Sequence, residues 1–238
     1  MPITKLCILD CDGTLVDSQQ PIIEAMSMAF RRQGLDEPEP ATVKRLVGLP
    51  LADAVAALLD DRSDDLVKAL SDGYRTAYGD LRRANGALEP LFPGMIVALD
   101  ALQSNGWRLA IATGKSKRGV LATLRHHDLV ERFESIQTPD SAAGKPAPDM
   151  VFRAIEETGA DASATVVVGD TAYDMLMAAN AGVAGLGVAW GYHHADELNA
   201  SGAAAVIERV DQLASHADML TEITDIDQAP PDRTLAAR

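Results

Sequence analysis

The chain has 238 residues, 47% of them apolar and 24% charged, a globular composition that excludes a disordered, collagenous or coiled-coil protein. With 35 acidic against 21 basic residues the net charge is −14, and an anionic surface repels nucleic acids and anionic membranes. The two cysteines, Cys7 and Cys11, are too close along an extended segment to bridge, so a reducing compartment is expected.

The first residues, Met1-Pro2-Ile3-Thr4-Lys5, lack a charged region followed by an apolar one. No apolar run approaches the ~18 residues of a membrane span, so a cytoplasmic protein is expected. Leu6–Leu9 then reads as a buried strand ending at Asp10-Cys11-Asp12-Gly13-Thr14-Leu15. Between Ser18 and Arg83 only helical periodicity follows, in Pro21–Arg32, Ala41–Val47, Leu51–Leu59 and Asp64–Tyr78. Asp36-Glu37-Pro38-Glu39-Pro40 and Asn85-Gly86 punctuate these segments as turns.

From residue 95 strands and helices alternate. The strands are Leu109–Ala112, Phe133–Gln137, Thr165–Val168, Ala184–Val188 and Ala204–Ile207. The helices are Met95–Leu102, Gly119–His126, Asp149–Glu157 and Tyr173–Ala181. Such alternation predicts an α/β fold with a doubly wound parallel sheet. The long helical stretch is too large for one crossover and predicts an all-helical domain inserted into the α/β core. The expected boundaries are 1–17 and 88–221 for the core, 18–87 for the insertion, and 222–238 for a flexible tail without apolar periodicity.

Every polar cluster that could carry chemistry sits beside an apolar strand: Asp10–Thr14, then Thr113-Gly114-Lys115, then Gly144-Lys145-Pro146, then Gly169-Asp170-Thr171-Ala172-Tyr173-Asp174. In an open parallel sheet the carboxyl ends of the strands share one edge, so the fold gathers these clusters into one crevice. Asp10, Asp12, Asp170 and Asp174 cannot be crowded together without a cation, and all-oxygen ligands suit Mg²⁺. The Thr113 hydroxyl, the Gly114 amide and the Lys145 ammonium together form a phosphate cradle. A carboxylate in that setting can act as a nucleophile at phosphorus, and a second one two residues away can move the proton.

Taken together, Asp10-Cys11-Asp12-Gly13-Thr14-Leu15-Val16-Asp17-Ser18, Thr113, Lys145 and the Asp170/Asp174 pair resemble the four motifs of the haloacid-dehalogenase-like hydrolase superfamily. The resemblance spans residues 3 to 210. The helical insertion, Phe92-Pro93-Gly94, Gly182-Val183 and Trp190-Gly191-Tyr192 are similar to the branch that includes phosphoglycolate phosphatase and β-phosphoglucomutase, whose insertion is a helical cap. The resemblance implies a Rossmann-like core, with Asp10 as nucleophile and Asp12 as general acid/base. Mg²⁺ would be held by the Asp10 side chain, the Asp12 backbone carbonyl and Asp170, with Asp174 behind them. It implies a phosphatase acting on a small phosphorylated metabolite such as phosphoglycolate, with a phosphosugar mutase as the alternative.

Asp12 disfavours halide displacement, since the dehalogenases lack that aspartate. A phosphorylated receiver domain fits neither the position of Asp10-Cys11-Asp12 nor the large insertion, and no Gly-x-Gly-x-x-Gly marks a dinucleotide site. Within the insertion, Val47-Gly48-Leu49-Pro50 is the expected loop into the crevice. Arg45, Gly48 and Lys115 are the candidates for substrate choice. The adjacent histidines His126-His127 and His193-His194 point apart and are not expected to hold zinc. Cys11 should face away from its flanking aspartates and pack in the core.

Overall fold

A computed structural model describes residues 3–60, 62–85 and 89–227. Six strands, β1 (Lys5–Leu9), β2 (Trp107–Ala112), β3 (Ser135–Gln137), β4 (Thr165–Gly169), β5 (Ala184–Val188) and β6 (Ala205–Ile207), form one parallel sheet in the order β3-β2-β1-β4-β5-β6. The doubly wound parallel sheet expected from the alternating pattern is therefore present. Strand β1 lies in the middle, with Cys7 in register with both Leu109 and Val166.

Alternation along the strands divides the core. Cys7, Leu9, Leu109, Ile111, Val166 and Val168 face one side. They pack on α5 (Met95–Ser104), α6 (Lys117–His126) and α10 (Leu213–Asp227) through Leu99, Leu102, Leu124 and Leu213. Leu6, Ile8, Ala110 and Val167 face the other side, against Met150 and Ala154 of α7 (Asp149–Thr158) and Met177 of α8 (Ala172–Ala181). Ile8 is fully buried, and burying such a side chain contributes about 1.5–3 kcal/mol. Cys11 joins the first cluster, as expected.

The chain between β1 and α5 is helical: α1 (Gln19–Arg32), α2 (Pro40–Arg45), α3 (Leu51–Ala57) and α4 (Asp64–Asn85). Ile22, Met26, Ala29 and Phe30 recur at helical spacing on one face of α1 and pack with Val43, Val55 and Leu70 in a cluster of their own. The segments that leave and re-enter the sheet region run side by side, with Asp17 N–H donating to the Pro90 carbonyl (2.8 Å) and Phe92 N–H to that of Leu15 (3.2 Å).

Three elements differ from the sequence reading. Helix α4 passes Tyr78 and continues to Asn85, because Ala77 and Leu81 are buried against Ala25, and packing overrides the weak propensity of Gly79. Helix α10 (Leu213–Asp227) had no counterpart in the sequence reading and runs past the expected core boundary at residue 221 into the expected tail. A helix nucleated on the sheet by Leu213 and Ala217 propagates at little cost. The remainder of that expected tail lies outside the described residues. A short helix, α9 (Ala195–Ala200), escaped the periodicity because Leu198 is its single buried residue. No helix among the described residues is long and apolar enough to cross a membrane.

Candidate active site

The carboxyl edge of the sheet collects the sequence clusters. Asp10 follows β1, its N–H held by the Val168 carbonyl at 2.9 Å, and its side chain is almost completely buried. Asp170 follows β4, and Asp174 stands in the first turn of α8, where it and Thr171 form a capping box. Carboxylate oxygens of Asp10, Asp170 and Asp174 all lie within 4.8 Å of one another. Gly13 carries a φ of +88°, and any Cβ there would collide with the Asp170 carboxylate, so glycine is required for the turn after Asp12 to close over it.

Each carboxylate is oriented differently. Asp170 accepts from the Thr14 hydroxyl (2.7 Å) and from the Tyr192 N–H (2.9 Å). Asp174 accepts from the Thr171 hydroxyl (2.6 Å) and N–H (3.1 Å) through Oδ2. The fully buried Lys145 ammonium lies 2.8 Å from Asp10 Oδ1 and 2.5 Å from Asp174 Oδ1. These are ion-pair contacts without hydrogen-bond alignment, and Asp10 Oδ2 is buried with no hydrogen-bond partner among the described residues.

Burial pushes the Asp10 carboxyl up to about 6 against the pull of Lys145, with the charge of Asp174 adding to the rise. Asp170 is raised well above the usual carboxylate range by burial and by its two acidic neighbours. Burial opposes the charge on Lys145, but Asp10 and Asp174 outweigh it and hold the ammonium above an ordinary lysine. Three clustered buried carboxylates with one lysine, paired to two of them, leave negative charge uncompensated. The all-oxygen donor set and the orphaned Asp10 Oδ2 fit a hard divalent cation.

Asp12 points elsewhere. Its Oδ1 lies 2.7 Å from the Lys115 ammonium, which also meets Glu89 Oε1 at 3.0 Å. Glu89 is almost fully buried in the segment that returns from α4. It accepts from the hydroxyls of Tyr78 and Thr123 and lies 3.5 Å from Arg82. Sequence reasoning missed Glu89. A lone acid beside Pro90 carries no local signal, and its partners come from α4, α6 and the loop after β2.

Thr113 is buried at the end of β2, and its Oγ1 accepts from the Lys115 N–H at 3.2 Å. Gly114 lies under the backbone of Gly48 and Leu49, so the 47–50 loop enters the crevice as the sequence suggested. Gly48 and Lys115 line a cavity of about 800 Å³ together with Asp10, Asp12 and Thr113.

Arg45 does not line that cavity. Its guanidinium pairs with Glu197 of α9 at 2.5 Å, while its carbonyl accepts from Tyr173 and contacts His193 Nε2. The end of α2 thus turns this side chain toward the sheet-side helices, and the expectation that Arg45 selects substrate is corrected. His193 is used in the same junction, its Nδ1 accepting from the Ala172 N–H.

A parallel α/β sheet with a helical insertion, carrying buried carboxylates and one buried lysine at its carboxyl edge, defines the class of protein. Residues 7–188 match the family model of the haloacid dehalogenase-like hydrolases, and the chain belongs to that family. It is 33% identical over 223 residues to the "Probable phosphatase IndB" of Dickeya dadantii, covering 92% of this chain and 96% of that one. It is 31% identical over 194 residues to a phosphoglycolate phosphatase of Agrobacterium fabrum, covering 80% and 83%. The structure resembles that of a hydrolase from Pseudomonas syringae with a TM-score of 0.80 at 27% identity, over 90% of this chain and 98% of that one.

Proposed function

We propose that this chain is a Mg²⁺-dependent phosphatase that hydrolyses a small phosphorylated metabolite through an aspartyl-phosphate on Asp10. The observation that carries the reading is the buried cluster of Asp10, Asp170 and Asp174, with Lys145 paired to Asp10 and Asp174 and one Asp10 oxygen unpartnered. The names of the Dickeya and Agrobacterium relatives, a phosphatase and a phosphoglycolate phosphatase, support the reaction class.

The Asp10 side chain, the Asp12 backbone carbonyl and Asp170 would hold the metal. Bound there, Mg²⁺ would neutralise the carboxylates and draw charge from the transferring phosphoryl group. An Asp10 oxygen attacks phosphorus and the bond from phosphorus to the ester oxygen breaks. Asp12 gives its proton to that oxygen as the alcohol leaves. Asp12, now a carboxylate, takes a proton from water. The water oxygen attacks phosphorus, the acyl-phosphate bond breaks, and Asp10 is regenerated beside inorganic phosphate. Thr113, Gly114 and Lys145 steady the phosphoryl oxygens, and Asp174 holds Lys145 in place. Closure of the 47–50 loop over Gly114 limits competing water.

The test is a set of initial rates on 2-phosphoglycolate, β-glucose 1-phosphate and nucleotides with and without Mg²⁺, following phosphate release and sugar isomer formation. Metal-dependent phosphate release is expected. Isomerisation of β-glucose 1-phosphate without net phosphate release would favour the mutase alternative.

A further inference from the structure

The cavity that opens from Asp10 and Asp12 holds about 800 Å³, toward the top of the ~300–1,000 Å³ range of pockets that enclose drug-sized ligands. A phosphoryl group with a two-carbon acid would fill a minor part of it. Away from the aspartates its lining includes the apolar side chains of Ile22, Met26, Val47 and Leu51. Tyr74 and Tyr78, one turn apart on α4 with ring centroids 5.7 Å apart, belong to the same lining and pack against the Ile22 and Met26 cluster. The Tyr78 hydroxyl is occupied by Glu89 and the Lys115 ammonium lies 5.2 Å from the centre of its ring, which leaves Tyr74 as the aromatic side chain of the lining without a charged partner on its face among the described residues.

Most cations along the wall are already spent. Lys115 is bound to Asp12 and Glu89, Arg75 to Asp72 (2.9 Å), Arg82 to Glu89, and Arg83 to Asp80. Arg118, the other cation lining the cavity, is exposed and makes no ion pair among the described residues. A leaving group whose binding depended on a second anionic charge would find little to hold it inside.

Resting on the phosphatase reading above, we infer that the leaving group of the substrate carries an apolar or planar body at least one ring in size, seated in this cavity against Tyr74 and the apolar side chains of the 47–51 segment. Phosphoglycolate would then be a poor substrate. Burying a ring in this wall converts apolar area into transition-state affinity, since the leaving group stays seated while phosphorus is transferred.

The experiment compares kcat/KM for ethyl phosphate, 2-phenylethyl phosphate and 2-phosphoglycolate with Mg²⁺ on the full chain. The first two release similar primary alcohols and differ in the ring. A preference of ~10-fold or more for 2-phenylethyl phosphate over both others is expected, shrinking in Tyr74→Ala. Equal rates on the ethyl and phenylethyl esters, or a preference for 2-phosphoglycolate, would overturn the inference and leave the phosphatase reading standing. Absence of phosphate release from all three would overturn both. The comparison on the unaltered chain decides the matter even if Tyr74→Ala does not fold.

Discussion

Gly114 lies so close beneath Gly48 that a Cβ on Gly114 would stand 2.7 Å from the Gly48 carbonyl oxygen, and equally close to that of Leu49. The loop after β2 and the loop between α2 and α3 therefore meet backbone to backbone, and no side chain can separate them. Gly114→Ala must push the 47–50 loop outward, since overpacking of this kind costs about 1–3 kcal/mol when nothing can yield. Loss of ~10-fold or more in kcat/KM on p-nitrophenyl phosphate is expected, with a much smaller change in thermal midpoint. A variant with unaltered kinetics would show that loop contact does not matter to turnover.

Lys145 is fully buried between Asp10 and Asp174. Lys145→Ala leaves two buried carboxylates without their cation, a change of the kind that costs about 3–5 kcal/mol. The expected result is a lower urea midpoint together with loss of phosphatase turnover. Retention of full stability would show that the ion pairs of Lys145 do not hold the fold together.

A cation that binds the folded protein stabilises it by mass action, by about 2.7 kcal/mol at a hundred times its dissociation constant. Mg²⁺ should therefore raise the thermal midpoint of the unaltered chain and do little for Asp170→Asn. An equal rise in both would place the ion elsewhere.

Glu89 tests the network around Asp12. Burial alone would raise its carboxyl, but Lys115 and the hydroxyls of Thr123 and Tyr78 outweigh burial and hold it down at about 2, from an ordinary 4.5. A depressed acid contributes stability above its unfolded pKa and loses it as pH falls, here between 4.5 and about 2. Urea midpoints of the parent should drop through that window, and Glu89→Gln should show a shallower drop. Parallel profiles would remove Glu89 from the acid response.

How much of this was legible in the sequence depended on whether the signal was local. Asp10, Asp12, Thr113 and Asp170 each follow an apolar run that must be a buried strand, so parallel topology alone brings them to one edge. Gly48 was legible too, as the flexible point between two helical patterns. The orientation of Arg45 was not. Its helix presents it beside Lys44, and only the packing of α2 near Glu197 decides which way it turns. Glu89 was hidden for the same reason, because its role exists only once α4 and α6 lie beside it. The full length of α4 was hidden because buried contacts at Ala77 and Leu81 carry the helix beyond its periodic stretch.

The covalent role of Asp10 is tested most directly by acid-quenching the enzyme milliseconds after mixing with a rapidly hydrolysed phosphomonoester and Mg²⁺, then mapping its peptides by mass. The expected result is one hydroxylamine-labile phosphoryl group on Asp10, absent from Asp10→Asn. Phosphate production with no such adduct on the enzyme, or an adduct on another residue, would contradict the account.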